Sequence, residues 1–255
     1  CSKCNLVQLK KIFPLNELKP KYEWINYNEP EEHLDNLVMK ISNLKNINYK
    51  SIIAGVSYKE ISTLNRFKKL GFKNTWILDM KKDLNIKDLK LNLETIQDKI
   101  SKVNLKKVFK TRQKADVLII RHILEHSYKT NKFIKSVKSL IKNGGYLVFE
   151  VPDCKESFAN SDYTMLWEEH ILYFTEHSLK KILIDNGLTI SYFKKYKYSY
   201  ENVLIVIAKL DNVNYIKKNI NKDIPIINFN KKRLNKDKLE IQKLFKNFKK
   251  NKYKI

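Results

Sequence analysis

Short, continuously apolar segments alternate with helical patterns through the middle of this chain. The run Val117–Ile120 is apolar at every position, which is typical of a strand buried on both faces of a parallel sheet. Strands and helices that alternate at this spacing predict an α/β fold with a doubly wound, mostly parallel sheet. The predicted strands are Ser51–Gly55, Thr75–Asp79, Val117–Ile120, Tyr146–Glu150, Leu188–Phe193 and Val203–Ala208, and the predicted helices are Glu31–Leu44, Ile61–Leu70, Phe133–Ile141 and one that runs from a Thr175 cap to Asp185.

Composition narrows the class of protein. The chain has 255 residues, of which 43% are hydrophobic, so it can bury a sizeable core. No apolar run reaches the roughly 18 residues of a membrane span, and no signal peptide pattern opens the chain. Three cysteines cannot form a disulfide scaffold. These features predict a protein of the reducing cytoplasm without a membrane span.

The net charge of +24 raises the question of a nucleic-acid partner. Lysines supply nearly all of the basic residues and are spread over almost every segment. Readers of nucleic acid tend to use arginine forks on a local basic stripe. The sequence therefore argues against a dedicated nucleic-acid surface, and we attribute the charge to solvated faces. The four arginines are Arg66, Arg112, Arg121 and Arg233.

The first cysteine pair, Cys1 and Cys4, forms a C-x-x-C motif. A tetrahedral zinc site needs four ligands, usually from two such pairs. Two interpretations stay open: half of a zinc site whose other ligands lie upstream, or two unpaired surface cysteines. Zinc is expected only in the first case.

Candidate ligand-binding residues follow the predicted strands, because ligands of such sheets bind at the carboxyl ends of the strands. Gly55 and Ser57 follow the first strand, and Arg121 follows the third. Gly55 is a weak cofactor signal, since a nucleotide cofactor usually has several glycines there. Asp79 ends the second strand, where a carboxylate commonly holds a ribose diol.

Two histidine motifs carry candidate chemistry. His122 begins an H-x-x-E-H string that ends at His126 and matches an inverted zinc-protease motif. We disfavour that interpretation because the string directly follows a buried strand. Glu169 and His170 lie in a cluster of aromatic residues that would suit a proton-accepting site or the packing of a helix start. His33 is expected on the solvated face of a helix.

Three longer segments resemble the class I S-adenosylmethionine-dependent methyltransferases, and within them the sugar C-methyltransferase-like family. The resemblance covers roughly residues 1–210 and implies the Rossmann-like methyltransferase fold. The string E-H-x-x-Y-F from Glu169 to Phe174 is its most specific element. The residues Cys1 to Leu9 resemble half of the family's zinc-binding module. The matching segments are 115–126, 143–153 and 162–175.

The resemblance implies methyl transfer from S-adenosylmethionine to a hydroxyl or an activated carbon of a nucleotide-linked or phosphorylated sugar, commonly for surface polysaccharides. It makes His170 the base with Glu169 as its partner, and it places His122 at the catalytic centre. Asp79 would hold the ribose of the cofactor. The other implied cofactor-binding residues are Gly55, Ser57 and Arg121.

Departures from the family pattern keep two alternatives open. The glycine motif is reduced to Gly55, which favours a methyltransferase-fold binding module without activity. The net charge favours a nucleic-acid methyltransferase, although less strongly. A homo-oligomer is compatible with the sequence. We expect a zinc-module remnant over residues 1–30, the methyltransferase domain over 31–210, and a linker with the start of a truncated further domain over 211–255, which includes a helical extension.

Overall fold

The computed structural model describes residues 5–14, 17–18, 30–86, 93–167, 169–199, 201–211 and 231–250. Cys1 and Cys4 lie outside these ranges, as does most of the expected 1–30 module. The strands are β1 (Val7–Gln8), β2 (Ile53–Gly55), β3 (Thr75–Ile77), β4 (Ala115–Arg121), β5 (Ile141–Pro152), β6 (Leu172–Tyr173), β7 (Thr189–Tyr196) and β8 (Val203–Lys209), and the helices are α1 (Leu34–Ser42), α2 (Ile61–Lys69), α3 (Leu93–Lys99), α4 (Lys102–Leu105), α5 (Val108–Thr111), α6 (Thr130–Ser139), α7 (Lys155–Asn160), α8 (Glu176–Asp185) and α9 (Lys231–Lys250).

A six-stranded sheet with the order β3-β2-β4-β5-β8-β7 forms the centre of the fold. The first four of these strands are parallel to one another. The last two are antiparallel to their neighbours. This mixed but mostly parallel sheet confirms the predicted α/β class.

Apolar side chains cover both faces of the sheet, as a doubly wound fold requires. On one face, α1 and α2 pack their buried residues against alternate positions of β4, including Val117 and Ile119. On the other face, α6 and α8 pack against the intervening positions, including Leu118 and Ile120. The continuously apolar run predicted as a strand is therefore buried from both sides.

The chain order creates a crevice at the carboxyl end of the sheet. From β2 the chain passes to β3 on one side, and it later enters β4 on the other side. Ligands of open α/β sheets bind at such a switch point. Gly55 ends β2, Arg121 ends β4, and Asp79 lies two residues beyond β3, so the expected cofactor residues share one edge.

Several boundaries differ from the predicted ones. β5 begins at Ile141, where the sequence suggested the end of a helix, because Ile141 pairs with Ala115 on β4. The register then shifts before Val117 pairs with Tyr146, so a bulge region with two glycines joins two stretches of one strand. Tertiary pairing of this kind cannot be seen in the local pattern of β5.

A small two-stranded sheet and a C-terminal helix lie outside the central sheet. β1 pairs antiparallel with β6, which aligns Val7 with Tyr173. α9 is the expected C-terminal helix, and its Leu239, Ile241, Leu244 and Phe245 are at least half exposed. Among the described helices, none is long and apolar enough to cross a membrane.

Candidate functional site

The loop after β2 is organised by one buried carboxyl group, that of Glu60. Ser57 caps a one-turn 3₁₀ helix, Tyr58–Glu60, and donates from its main-chain N and its Oγ to Glu60 Oε2 at 2.6 and 2.8 Å. The main-chain N of Arg121 donates to Glu60 Oε1 at 2.7 Å. Burial raises the pKa of Glu60 to about 7 against these hydrogen bonds. Glu60 thus ties the β2 loop to the end of β4.

Gly55 is needed for this packing. A Cβ at this position would lie 2.6 Å from Glu60 Cβ, a distance that side-chain carbons do not adopt. The absence of a side chain at Gly55 therefore admits Glu60. The sequence argument connected this glycine with the cofactor and did not identify Glu60.

Arg121 and His122, which follow one another at the end of β4, both contact Glu150 on β5. The Arg121 guanidinium donates from Nε and Nη2 to the two carboxylate oxygens at 2.8 and 3.0 Å. His122 Nε2 lies 3.0 Å from Glu150 Oε1. All three side chains are buried, so they form a charged cluster below the carboxyl edge. Because His122 is bound to Glu150, it is not available to bind zinc together with His126.

His33 completes the shell around Glu150 and corrects one expectation. It is buried, not solvated, and its Nε2 lies 3.1 Å from Glu150 Oε2. Its Nδ1 lies 2.7 Å from the Tyr198 hydroxyl. The sequence pattern failed here because His33 is followed by an amphipathic helix, whereas its own contacts are with residues more than a hundred positions away.

The backbone of His122 is in the left-handed region, with φ of 50°. Few residues other than glycine adopt this conformation, and it is concentrated at functional sites. It directs the chain from β4 into a one-turn 3₁₀ helix, Leu124–His126. Glu125 and His126 are thereby placed at the crevice, directly after the strand.

Glu125 and His122 form a second buried charge pair. His122 Nδ1 lies 3.4 Å from Glu125 Oε1. Burial opposes protonation of His122, but its contacts with Glu125 and Glu150 raise its pKa to about 9. Burial also opposes ionisation of Glu125, but the same contact and the nearby imidazoles lower its pKa to about 2. At neutral pH, His122 is therefore an imidazolium and Glu125 a carboxylate.

Glu125, His126 and His170 meet at this point. One potential ligand atom from each lies within 4.8 Å of those of the other two. The rings of His126 and His170 are edge to face, with centroids 4.7 Å apart. Burial and the neighbouring His126 lower the pKa of His170 to about 3, and burial also lowers the pKa of His126. Both imidazoles are neutral at neutral pH.

The predicted partner of His170, Glu169, contributes its main chain. The carbonyl oxygen of Glu169 lies 3.0 Å from His126 Nδ1. The carboxylate beside His170 is that of Glu125, which the sequence argument met only as part of a disfavoured zinc-protease motif. Trp167 and Tyr173 lie at ring distances of 6.4 Å from His170, so the expected aromatic surroundings are present, although Trp167 is 44% exposed.

Asp79 lies at the opposite side of the crevice. Its Oδ1 accepts the main-chain N–H groups of Lys81 and Lys82, both at 2.9 Å. These hydrogen bonds outweigh the effect of burial and lower the pKa of Asp79. Asp79 is only partly buried, so a carboxylate is presented at the end of β3.

A groove of about 1080 Å³ lies beside the same edge, between α1 and α2. Tyr58, Lys59 and Arg121 line its inner end. Arg66 lines its outer part, where its Nε contacts Asp35 at 2.9 Å and its Nη1 contacts Glu31 at 3.3 Å. The groove gives a ligand of moderate size access to the β2 loop.

The family model described as "Methyltransferase domain" matches residues 62–192. The matched segment contains Asp79, Arg121, His122 and His170. No curated protein sequence matches this chain.

Solved structures of methyltransferases are similar in fold. The 1,6-didemethyltoxoflavin-N1-methyltransferase of Burkholderia thailandensis, solved with S-adenosylhomocysteine, is 10% identical, with a TM-score of 0.47 over 71% of this chain and 78% of that chain. The magnesium protoporphyrin IX methyltransferase of Synechocystis PCC 6803, solved with S-adenosylmethionine, is 16% identical, with a TM-score of 0.45 over 70% and 78%. A complex between the Haloferax volcanii Trm112 activator and its methyltransferase partner gives a TM-score of 0.48 at 8% identity, over 71% and 91%.

Proposed function

This chain belongs to the methyltransferase-domain family, and we propose that it transfers a methyl group from S-adenosylmethionine to a sugar-type acceptor. The acceptor atom is a hydroxyl oxygen or an activated carbon beside a ketone. The acceptor class is a nucleotide-linked or phosphorylated sugar, used in the cytoplasm for surface polysaccharide synthesis. The resemblance of the segment from Glu169 to Phe174 to sugar C-methyltransferases supports this choice of acceptor.

One observation carries the proposal: the imidazole of His170 lies close to the carboxylate of Glu125 at the carboxyl edge of the sheet. Methylation of a hydroxyl or an activated carbon requires removal of one proton. A histidine can accept that proton, but a pKa of about 3 makes His170 a weak base in the ligand-free protein. Its role as the base therefore requires that ligand binding raises this pKa toward neutrality. The carboxylate of Glu125 would then stabilise the imidazolium that forms.

The residues of the crevice fit S-adenosylmethionine at its ribose. A carboxylate has about four lone-pair sites, and Oδ1 of Asp79 accepts two main-chain N–H groups. Acceptor capacity therefore remains for a ribose diol. When bound, the cofactor supplies an electrophilic methyl group on a positively charged sulfur.

The other residues of the site position the base. His126 is held by the Glu169 carbonyl and packs its ring against His170, which restricts the orientation of the base. Arg121 and His122 neutralise Glu150 below the crevice, so the floor of the site is fixed before ligands arrive. Alignment of this kind is the protein's main contribution when the donor already carries a good leaving group.

Cofactor binding and methyl transfer can be tested in sequence. We expect S-adenosylmethionine and S-adenosylhomocysteine to bind with micromolar affinity in calorimetry. A panel of nucleotide-linked ketosugars and their hydroxyl analogues should then yield a methylated product by mass spectrometry, with RNA and duplex DNA as control acceptors. If neither S-adenosylmethionine nor S-adenosylhomocysteine bound, the proposal would be contradicted. If only RNA or DNA became methylated, the acceptor would be a nucleic acid and not a sugar.

A second candidate function is a methyltransferase-fold binding module without turnover. The observation that favours it is the position of Glu60, whose side chain packs against Gly55 and bonds to Ser57. These two residues are the ones expected beneath the methionine part of the cofactor. The same calorimetry distinguishes the two functions, because a module of this kind would bind neither cofactor form.

A further inference from the structure

Glu125 is an unusual carboxylate within the described part of the chain. Only 1% of its surface is exposed, and neither carboxylate oxygen has a hydrogen bond of good geometry to a described residue. The nearest cationic atom there is His122 Nδ1, 3.4 Å from Oε1. Burial of an ionised carboxylate is costly unless it is paired and hydrogen-bonded or coordinates a metal. The oxygens of Glu125 therefore have coordination capacity that these residues do not use.

His126 and His170 surround this carboxylate with two imidazoles. His126 Nδ1 lies 3.0 Å from a main-chain carbonyl, that of Glu169, so Nδ1 carries the hydrogen and Nε2 keeps its lone pair. A metal-binding histidine almost always donates its other N–H to a carbonyl or carboxylate in this way. His126 therefore has the tautomer and the outer contact that a metal ligand requires.

We propose that Glu125, His126 and His170 bind a divalent transition metal of the zinc class. Two imidazole nitrogens and one carboxylate oxygen form the ligand set of zinc sites that keep a fourth position open for water or substrate. Metal bonds of about 2.0–2.2 Å place tetrahedral ligand atoms roughly 3.3 Å apart. The three atoms lie within 4.8 Å of one another, so side-chain rotations close the site. His170 is the one partly exposed residue of the three, and metal binding would turn its ring out of the edge-to-face contact with His126.

The site differs from the two zinc arrangements suggested by sequence motifs. The inverted zinc-protease motif would use His122 and His126, but His122 is bound to Glu150. The C-x-x-C pair of Cys1 and Cys4 lies outside the described residues. The proposed ligands are instead Glu125 and His126, which follow β4, and His170, which precedes β6.

The relation to methyl transfer rests on the proposed function, whereas metal binding itself does not. A lone pair of His170 cannot bind zinc and accept an acceptor proton at the same time. We therefore expect zinc to inhibit turnover and a chelator to restore it. Zinc retention by a chain that binds no S-adenosylmethionine would leave the metal site standing and contradict the proposed function.

Zinc binding should be measured on the Cys1→Ser/Cys4→Ser variant, which removes the other candidate ligands. We expect one equivalent of Zn²⁺ in calorimetry and a rise in melting temperature on zinc addition. Co²⁺ should give visible absorption without the near-ultraviolet band of thiolate ligation. Zn²⁺ uptake below one equivalent at tens of micromolar free metal would overturn the site.

Single substitutions in the same background identify the ligands. Glu125→Gln, His126→Gln and His170→Gln should each lower zinc affinity at least about tenfold, since even outer partners of metal ligands contribute that much. His177→Gln, on α8, is the matched control and should bind zinc normally. Circular dichroism of the metal-free variants separates a lost ligand from a lost fold. Unchanged affinity in all three ligand variants would overturn the assignment.

Discussion

Arg121 and Glu150 lie directly opposite each other on the parallel strands β4 and β5, and two guanidinium nitrogens contact both carboxylate oxygens. The pair is buried, and His33 and His122 contact the same carboxylate. One carboxylate therefore contacts both the Arg121 guanidinium and the His122 imidazole below the crevice, while Glu125 contacts His122 from its other side. The arrangement makes Glu150 the residue on which the local charge balance depends.

Glu150→Gln should destabilise the fold by about 3–5 kcal/mol, because it takes from the buried Arg121 guanidinium its closest counter-ion and leaves, among the described residues, only Glu31 within ion-pair distance, at 3.6 Å. Urea unfolding followed by circular dichroism measures this change. The matched control is Glu176→Gln, which removes an exposed ion pair with Lys180 and should cost at most about 1 kcal/mol. Equal effects of the two substitutions would contradict the role of Glu150.

Gly55→Ala should destabilise the fold by about 1–3 kcal/mol through overpacking, because the added Cβ would meet Glu60 Cβ at 2.6 Å. The cost should largely disappear in a Glu60→Gly background, which removes the Cβ that the new methyl group would meet. A double-mutant cycle of denaturant unfolding measures this coupling. Strict additivity of the two substitutions would show that the glycine serves another purpose.

Glu60 should make stability depend on pH. Its pKa is about 7 in the folded protein, whereas an unperturbed glutamate, as in an unfolded chain, has a pKa of 4.5. A raised pKa means that the stabilising contribution is complete below about pH 4.5 and is lost as the pH rises through 7. The total loss is roughly 3 kcal/mol.

The Glu60→Gln chain has no ionisable group at this position. Its unfolding free energy, relative to that of the natural chain, should therefore rise by roughly 3 kcal/mol between pH 4.5 and 8. Unfolding free energies at the two pH values provide the test. Because the test compares how the difference in unfolding free energy between the two chains changes with pH, any pH-independent cost of the amide cancels. The exposed Glu32→Gln variant serves as the control, and a pH-independent difference for Glu60→Gln would contradict the assignment.

Asp79→Asn should weaken binding of S-adenosylhomocysteine about tenfold, because a hydrogen bond to a charged acceptor contributes about 1.5–3 kcal/mol. Asparagine keeps an oxygen for the Lys81 and Lys82 amides, so the turn should survive. Calorimetry of the two chains gives the comparison. Unchanged affinity would mean that the ribose is held elsewhere.

His170→Gln should lower the rate of methyl transfer by about 10²–10⁴, which is the usual contribution of a general base. Affinity for S-adenosylmethionine should stay unchanged, since the substitution lies on the acceptor side of the crevice. His177→Gln is the control and should retain activity. Full turnover by His170→Gln would remove His170 from the proposed mechanism.

Sequence patterns predicted the strands and helices best where the burial was strong and local. The run at Val117–Ile120, the helix after Ile61 and the Thr175 cap were all confirmed within a few residues. The long β5 was missed in part because its first residues pair only through a register shift with β4. The antiparallel direction of β7 and β8 depends likewise on tertiary pairing.

The candidate site was predicted less completely than the fold. Asp79 and Arg121 lie at the expected edge, and His170 lies among the expected aromatic rings. Glu60 and Glu125 were missed as site residues because their significance comes from burial and from partners far along the chain. His33 was wrongly assigned to a solvated face for the same reason.

The pairing of β1 with β6 has a consequence for how the molecule folds. Val7 and Tyr173 are joined across most of the described chain, and Leu9 N donates to Ile171 O beside His170. Closure of so long a loop is entropically unfavourable until the intervening sheet has formed. The first strand therefore docks on β6 late, and an incompletely folded chain can already hold Glu125, His126 and His170 together before its N-terminal segment covers them.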